Sequence, residues 1–298
     1  DSSEDLTNDT AAAGGAGTVA VMFGAGIPVY TIRTRAFIGD DPTDAVASAG
    51  AGDVHAAGSI VIAADDRNEI DLIVGSAAGA GTAAVGGAAG VAVIDKFTEA
   101  FVGAGARVTA DGQSSVTSKT GEFGITYTPS TTGIGNVDIS GGHQVSAADG
   151  EVGIPEIAKL DPRQDGSDYR TNGSFTGQRT PTAQEQTNFR GLAVTATSRD
   201  DVETFTFSIA GGQVAVAVPA SVNVVDTDTR AYIGQNAKIN EDRAGAHAGQ
   251  SVLVGAGSDF SYLAIEACAA GGYVGVATGV GVSVLKGLVE AFVADGAS

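Results

Sequence analysis

The chain has 298 residues, a formal net charge of −19 at neutral pH, 44 glycines, no tryptophan and one cysteine. That acidity excludes nucleic acid as a partner, because phosphate contacts need Lys/Arg patches and the sequence shows none. The surplus charge reads as solubility for a large exposed surface. The lone Cys268 excludes an intrachain disulfide framework and, within IEACAAGG, reads as a small core residue.

In chain order, Asp1 to Asp5 is acidic and lacks the basic start of a signal peptide. A Gly/Ala/Val run then spans Gly15–Gly39 (GAGTVAVMFGAGIPVYTIRTRAFIG) and ends in a Thr-x-Ala-aromatic-aliphatic-Gly closure. The same run returns at Gly79–Gly103, Gly211–Gly234 and Gly271–Ala294. Its anchoring aromatics, Phe37, Phe101, Tyr232 and Phe292, fall 64 (37 to 101), 131 (101 to 232) and 60 (232 to 292) residues apart. The middle gap is about two periods, and self-similarity at a fixed spacing marks a repeat architecture. Val214, Val216 and Val218, and again Val280, Val282 and Val284, recur at every second residue. That is the alternation of a strand with one buried face, and glycine with β-branched valine disfavours helix. Leu72 to Ile94 and Ala11 to Ile32 carry no charge, yet their glycine content and strand alternation argue against a spanning helix.

Each unit reads as a short strand, a polar turn, a second strand and the Gly/Ala/Val run. Gly58 to Ala63 and Gly191 to Ala196 are first strands, Asp65-Asp66-Arg67-Asn68 and Ser198-Arg199-Asp200-Asp201 are the turns, and Ala106 to Ala110 follows a closure. The expected fold is all-β, a parallel β-helix (β-solenoid) of about 64 residues per unit, each unit making about three coils of roughly 20 residues. Residues 1–298 are expected to form a single elongated segment of a longer chain, since the pattern breaks off inside Phe292 to Ser298. The two open ends of such a rod would template aggregation unless covered or continued. A third unit begins at Gly112 to Tyr127, decays after Thr128, and gives way to a polar loop insertion over residues 154–190.

Candidate chemistry is sparse. His55, His143 and His247 lie in different repeat phases, without a nucleophile or zinc pattern, and read as surface residues in turns. Gly79-Ala-Gly-Thr lacks the Lys-Ser/Thr of a phosphate loop. No catalytic or cofactor-binding residue is assigned, and the chain is not expected to be an enzyme. Calcium takes about six to eight oxygens, so the candidate ligands are Asp40, Asp41 and Asp44, then Asp161, Asp165 and Asp168, then Asp226 and Asp228. None of these groups matches an EF-hand or a glycine-rich nonapeptide calcium repeat.

The closures Thr34-Arg-Ala-Phe-Ile-Gly, Thr98-Glu-Ala-Phe-Val-Gly and Thr229-Arg-Ala-Tyr-Ile-Gly, each behind its Gly/Ala/Val run, resemble the repeats of filamentous-haemagglutinin-like and autotransporter-type bacterial adhesins. The resemblance covers about residues 11–108 and 191–294. It implies an extracellular or cell-surface rod, structural or adhesive, whose partners are surface or matrix polymers or other chains of the same rod. Two alternatives stand beside it: a polysaccharide-active lyase or hydrolase on a β-helix, and a self-assembling sheath or fibre subunit.

Overall fold

The computed structural model describes residues 1–42, 52–129, 144–147, 150–153 and 177–298. The strands are β1 (Ser2–Ala16), β2 (Val19–Gly26), β3 (Val29–Ile38), β4 (Asp53–Ala56), β5 (Ile60–Ala80), β6 (Ala83–Val102), β7 (Arg107–Ala110), β8 (Val116–Pro129) and β9 (Gln144–Ala147). They continue with β10 (Gly150–Gly153), β11 (Gly177–Phe189), β12 (Gly191–Gly211), β13 (Val214–Ile233), β14 (Lys238–Ile239), β15 (Ser251–Gly271), β16 (Val274–Ala277) and β17 (Val280–Val293). No helix occurs among the described residues, so none is long and apolar enough to cross a membrane.

The expected all-β character and parallel pairing are present. One parallel sheet has the order β1-β5-β12-β15. A second has β13 and β6 at its centre, β2 and β3 beyond β6, and β16 and β17 beyond β13. A small third sheet, β14-β7-β4, runs alongside. The chain passes from the first sheet to the second through short turns that are themselves laddered: Ala83 N–H donates to Thr18 O at 3.0 Å and Val214 N–H to Thr82 O at 2.9 Å.

Register fixes the size of the repeat. Ser2 sits opposite Asp66, 64 residues on, and Phe37 opposite Phe101, also 64 on. Each period therefore contributes one strand to each large sheet, which corrects the expectation of about three coils per period. The physical reason lies in the segments read as turns. Asp65 to Asn68 runs through the interior of β5, and Ser198 to Asp201 through the interior of β12. Three of their carboxylates are paired, Asp66 and Asp200 by Lys96 of the facing sheet and Asp65 by Lys119, Arg67 and Arg199, so the strands continue for about 20 residues where isolated carboxylates would end them.

The wide middle gap also resolves differently from two plain periods. It holds one further unit plus an antiparallel pair, β8 with β11, beginning Gly177↔Pro129. Gly112 to Tyr127 is thus no third unit, and the part of the 154–190 stretch that is described, Gly177–Phe189, is strand instead of polar loop. Residues 154–176 lie outside the described residues. The β8 strand lies on β15 through backbone, and a Cβ at Gly257 would stand 1.8 Å from Gly121 O. Gly257→Ala should therefore detach the β8–β11 pair at a cost of roughly 1–3 kcal/mol. Amide exchange checks this: protection should fall in β8 and β11 while β5 and β12 keep theirs.

The interior between the two large sheets is graded. Near the short turns it is built of alanine: Ala20, Ala78, Ala80, Ala84, Ala210, Ala215 and Ala217, with Cys268 half-buried beside them as expected for a small residue. Here the sheets approach so closely that a Cβ on Gly24 would lie 2.4 Å from Gly75 O. Further along come Leu72 and Val74 against Ala88 and Ala92, then Ile70 and Val202 against Ile94 and Val225. At the far end, beside the third sheet, Ile62, Leu192, Val194, Val102 and Ile233 pack among further alanines. Glycine and alanine in the run thus set the spacing of the sheets, and valine and isoleucine supply the buried area.

Candidate functional surface

Four chemical features stand out from this frame, two of them single rows stacked across the strands and two of them clusters of side chains from neighbouring rows. The first is an aromatic ladder on the outer face of the second sheet. Phe37, Phe101, Tyr232 and Phe292 occupy one register position. Their ring centroids are 4.8, 5.0 and 5.1 Å apart with interplanar angles of 2°, 3° and 4°. The closures identified from sequence therefore align along one axis. Strand spacing dictates the ring separation, since neighbouring strands lie about 4.8 Å apart.

The second feature, two residues earlier, is a row of alternating charge: Arg35, Glu99, Arg230, Glu290. Arg35 Nε donates to Glu99 Oε2 at 3.0 Å, and Arg230 Nε lies 3.5 Å from Glu290 Oε2. Arg35 also pairs with Asp41, and its guanidinium lies 5.3 Å from the centre of the Phe101 ring. These pairs lie beside stacked rings, which favours arginine through cation–π attraction.

The third is a buried polar network between the sheets. Lys96 Nζ lies 3.3 Å from Asp66 Oδ2 and also pairs with Asp200. Asn68 Nδ2 donates to Asp200 Oδ1 at 3.0 Å, Ser198 Oγ donates to Asp200 Oδ2 at 2.7 Å, and Thr98 Oγ1 donates to Asp66 Oδ2 at 3.3 Å. Burial, reinforced by Asp200 and Glu4, holds the Asp66 carboxyl above its ordinary range despite Lys96.

The fourth lies on the other face of the first sheet. There Asp65 gathers Lys119, Arg67 and Arg199. Burial alone would raise its pKa, but Lys119, Thr197 and Arg199 outweigh burial and hold it low. A few residues along, Asp5, Glu69 and Asp201 share one register row and Asp71 and Glu203 the next. Burial, with Asp201, Asp5 and Asp9 nearby, pushes Asp71 up to about 7. Burial, with Asp201, Asp71 and Glu69 nearby, pushes Glu203 up to about 9.

A pH prediction follows from this cluster. A carboxyl that holds its proton more tightly when folded adds stability below its unfolded pKa and loses it as pH rises through the folded pKa. Asp71 and Glu203 should therefore make the protein progressively less stable as pH rises from about 4 to about 9. Urea denaturation midpoints measured across that window should decline. Glu203→Gln, which keeps shape and removes the charge, should flatten the decline.

Of the carboxylates proposed from sequence as calcium ligands, three of the described ones pair with basic side chains. Asp41 pairs with Arg35, Asp226 with Lys286 at 3.2 Å, and Asp228 with Arg230 at 3.2 Å. Asp40 precedes Asp41 in the same connection. Asp44, Asp161, Asp165 and Asp168 lie outside the described residues. Among the described residues no three His, Cys, Asp or Glu side chains converge in a way that could hold a metal ion. His55, in strand β4 instead of a turn, pairs with Asp111 Oδ2 at 3.0 Å, and His247 Nδ1 accepts from Gly249 N–H at 2.9 Å. His143 lies outside the described residues.

Sequence reading missed the Lys96 network and the acidic rows. The available signal was Lys96 itself, a lone cation inside a Gly/Ala/Val run, in phase with the buried positions Ala92, Ile94, Thr98 and Ala100. Compared with protein-family models, curated proteins and solved structures, the chain matches none.

Proposed function

We propose that the chain is a parallel β-solenoid, one coil per period, acting as a structural and adhesive rod segment of a secreted or cell-surface bacterial filament protein, without catalysis. The observation that carries this reading is the register. Four units stack in parallel, and one ladder position holds an aromatic in every unit. Stacking of this kind satisfies backbone donors and acceptors along the whole array and uses side chains for spacing and stiffness. The chemistry of the ladders is spent on cohesion: arginines pair with carboxylates, and the rings stack on each other. Residues 1–298 make one segment in this reading, and the β8–β11 pair is a lateral excursion from it.

Negative-stain microscopy of the purified protein, with surface labelling of source cells by an antibody against it, tests the reading. Surface label is the expected result, with particles about 70 Å along the strands and about 20 Å along the stacking axis that become stiff rods only where copies stack. An intracellular antigen would overturn it, and unsaturated sugars released from pectin-like polymers would overturn it in favour of the enzyme alternative.

A further inference from the structure

Among the described residues, the two edges of the sheets that have no strand partner are complementary to one another. At one end lie β1 and β3, and at the other β15 and β17. We propose that these edges dock head to tail, so that the β15/β17 edge of one copy pairs in register with the β1/β3 edge of a second copy of this chain. This rests on the solenoid reading above and adds a partner and a register to it.

Three observations carry it. The first is charge. The row Arg35, Glu99, Arg230, Glu290 alternates in sign, and a second copy set in the same register brings its Arg35 opposite Glu290. Arg35 already pairs with Asp41, so Glu290 would share or displace that carboxylate. Within the strands no other row opposes like charges: Asp259 would meet Ser3, Ser261 would meet Asp5, and Lys286 would meet Thr31. In the turn beyond β17 the same offset brings Asp295 toward Asp40, a repulsion that the Arg35–Glu290 contact has to outweigh.

The second is the aromatic ladder. Phe101 is fully buried between its neighbours, whereas the end members Phe37 and Phe292 are 44% and 42% exposed. Docking would set Phe292 on Phe37 and continue the ladder at the same spacing. The third is the open end of the interior. A cleft of about 320 Å³ there is lined by Thr227, Ser258, Phe260, Leu285, Lys286, Gly287 and Val289. The register row Tyr30, Ile94, Val225, Leu285 would place the second copy's Tyr30 against Leu285 in that cleft. Alanine follows alanine likewise, with Ala291 meeting Ala36. Unpaired parallel edges supply the backbone hydrogen bonds.

Sedimentation at physiological ionic strength, where self-repulsion of an acidic chain is screened, tests the proposal. Wild-type protein should assemble with rising concentration. Arg35→Glu and Glu290→Lys should each raise the concentration needed by about tenfold or more. An equimolar mixture of the two should assemble again, because every junction then opposes unlike charges.

A second measurement does not depend on those charges. In a Cys268→Ala background, Val29→Cys and Val284→Cys share a register row across the junction. Oxidising the two proteins together should give mixed dimers, not dimers of either alone. A wild type that stays monomeric, assembly indifferent to both charge variants, or cross-links only between identical variants would overturn the proposal. Amide exchange on the monomer separates this failure from that of the solenoid. Protection retained in β5, β6, β12 and β13 without assembly removes only the docking, and its absence removes the solenoid as well.

Discussion

Replacing Lys96 with methionine should destabilise the protein by about 3–5 kcal/mol, the largest loss expected from a single side chain outside the aromatic ladder. Lys96 is 2% exposed, and its partners Asp66 and Asp200 are equally enclosed. Methionine fills similar volume, so little of the loss would come from a cavity. What remains is two carboxylates facing each other in the interior with their cation gone, and a buried unpaired charge costs far more than a buried pair contributes. The sign with pH distinguishes this from ordinary packing damage. Acidification supplies protons in place of the ammonium, so the deficit of Lys96→Met should shrink toward low pH. The triple variant with Asp66→Asn and Asp200→Asn should recover most of the wild-type denaturation midpoint at neutral pH.

Phe101→Ala should cost about 3–5 kcal/mol, in the range for truncating a buried aromatic. Phe101 is wholly enclosed, with one ring face on Phe37 at 4.8 Å and the other on Tyr232 at 5.0 Å. The substitution removes its own burial and leaves both neighbours facing a gap one ring thick. Stacked pairs contribute about 0.5–1.5 kcal/mol each beyond burial, and this change removes two of them. Phe292→Ala makes the internal comparison, because Phe292 is 42% exposed and stacks on one face only. Its truncation should cost roughly 1 kcal/mol. Thermal or urea unfolding of the two variants side by side measures the ratio. Equal losses would mean that the ladder does not stack as described.

How far the sequence could be read is clear from these same residues. Phe37, Phe101, Tyr232 and Phe292 were visible as one recurring position, because each closes an identical local pattern, and they do align. The all-β character followed from valine alternation, which is local and needs no knowledge of partners. The number of strands per period did not follow. Asp65 to Asn68 and Ser198 to Asp201 look like turns when only neighbours in sequence are considered. Their compensation comes from Lys96, about 30 residues from Asp66, and from Lys119 on the antiparallel excursion. Charge matching over that distance leaves no local signature. The β8–β11 pair was hidden for a related reason: Val116 to Tyr127 alternates like any strand, and its antiparallel partner begins 48 residues after β8 ends (129 to 177).

The central claim is that one period gives one strand per sheet, so that residues about 64 or 131 apart in sequence lie side by side. Spin labels on the paired positions Val91 and Val222 test it most directly. Adjacent strands place them about 5 Å apart, which gives strong dipolar broadening in the electron paramagnetic resonance spectrum. A spectrum equal to the sum of the two singly labelled proteins would mean that the labels are far apart, and would contradict the stacking on which the account rests.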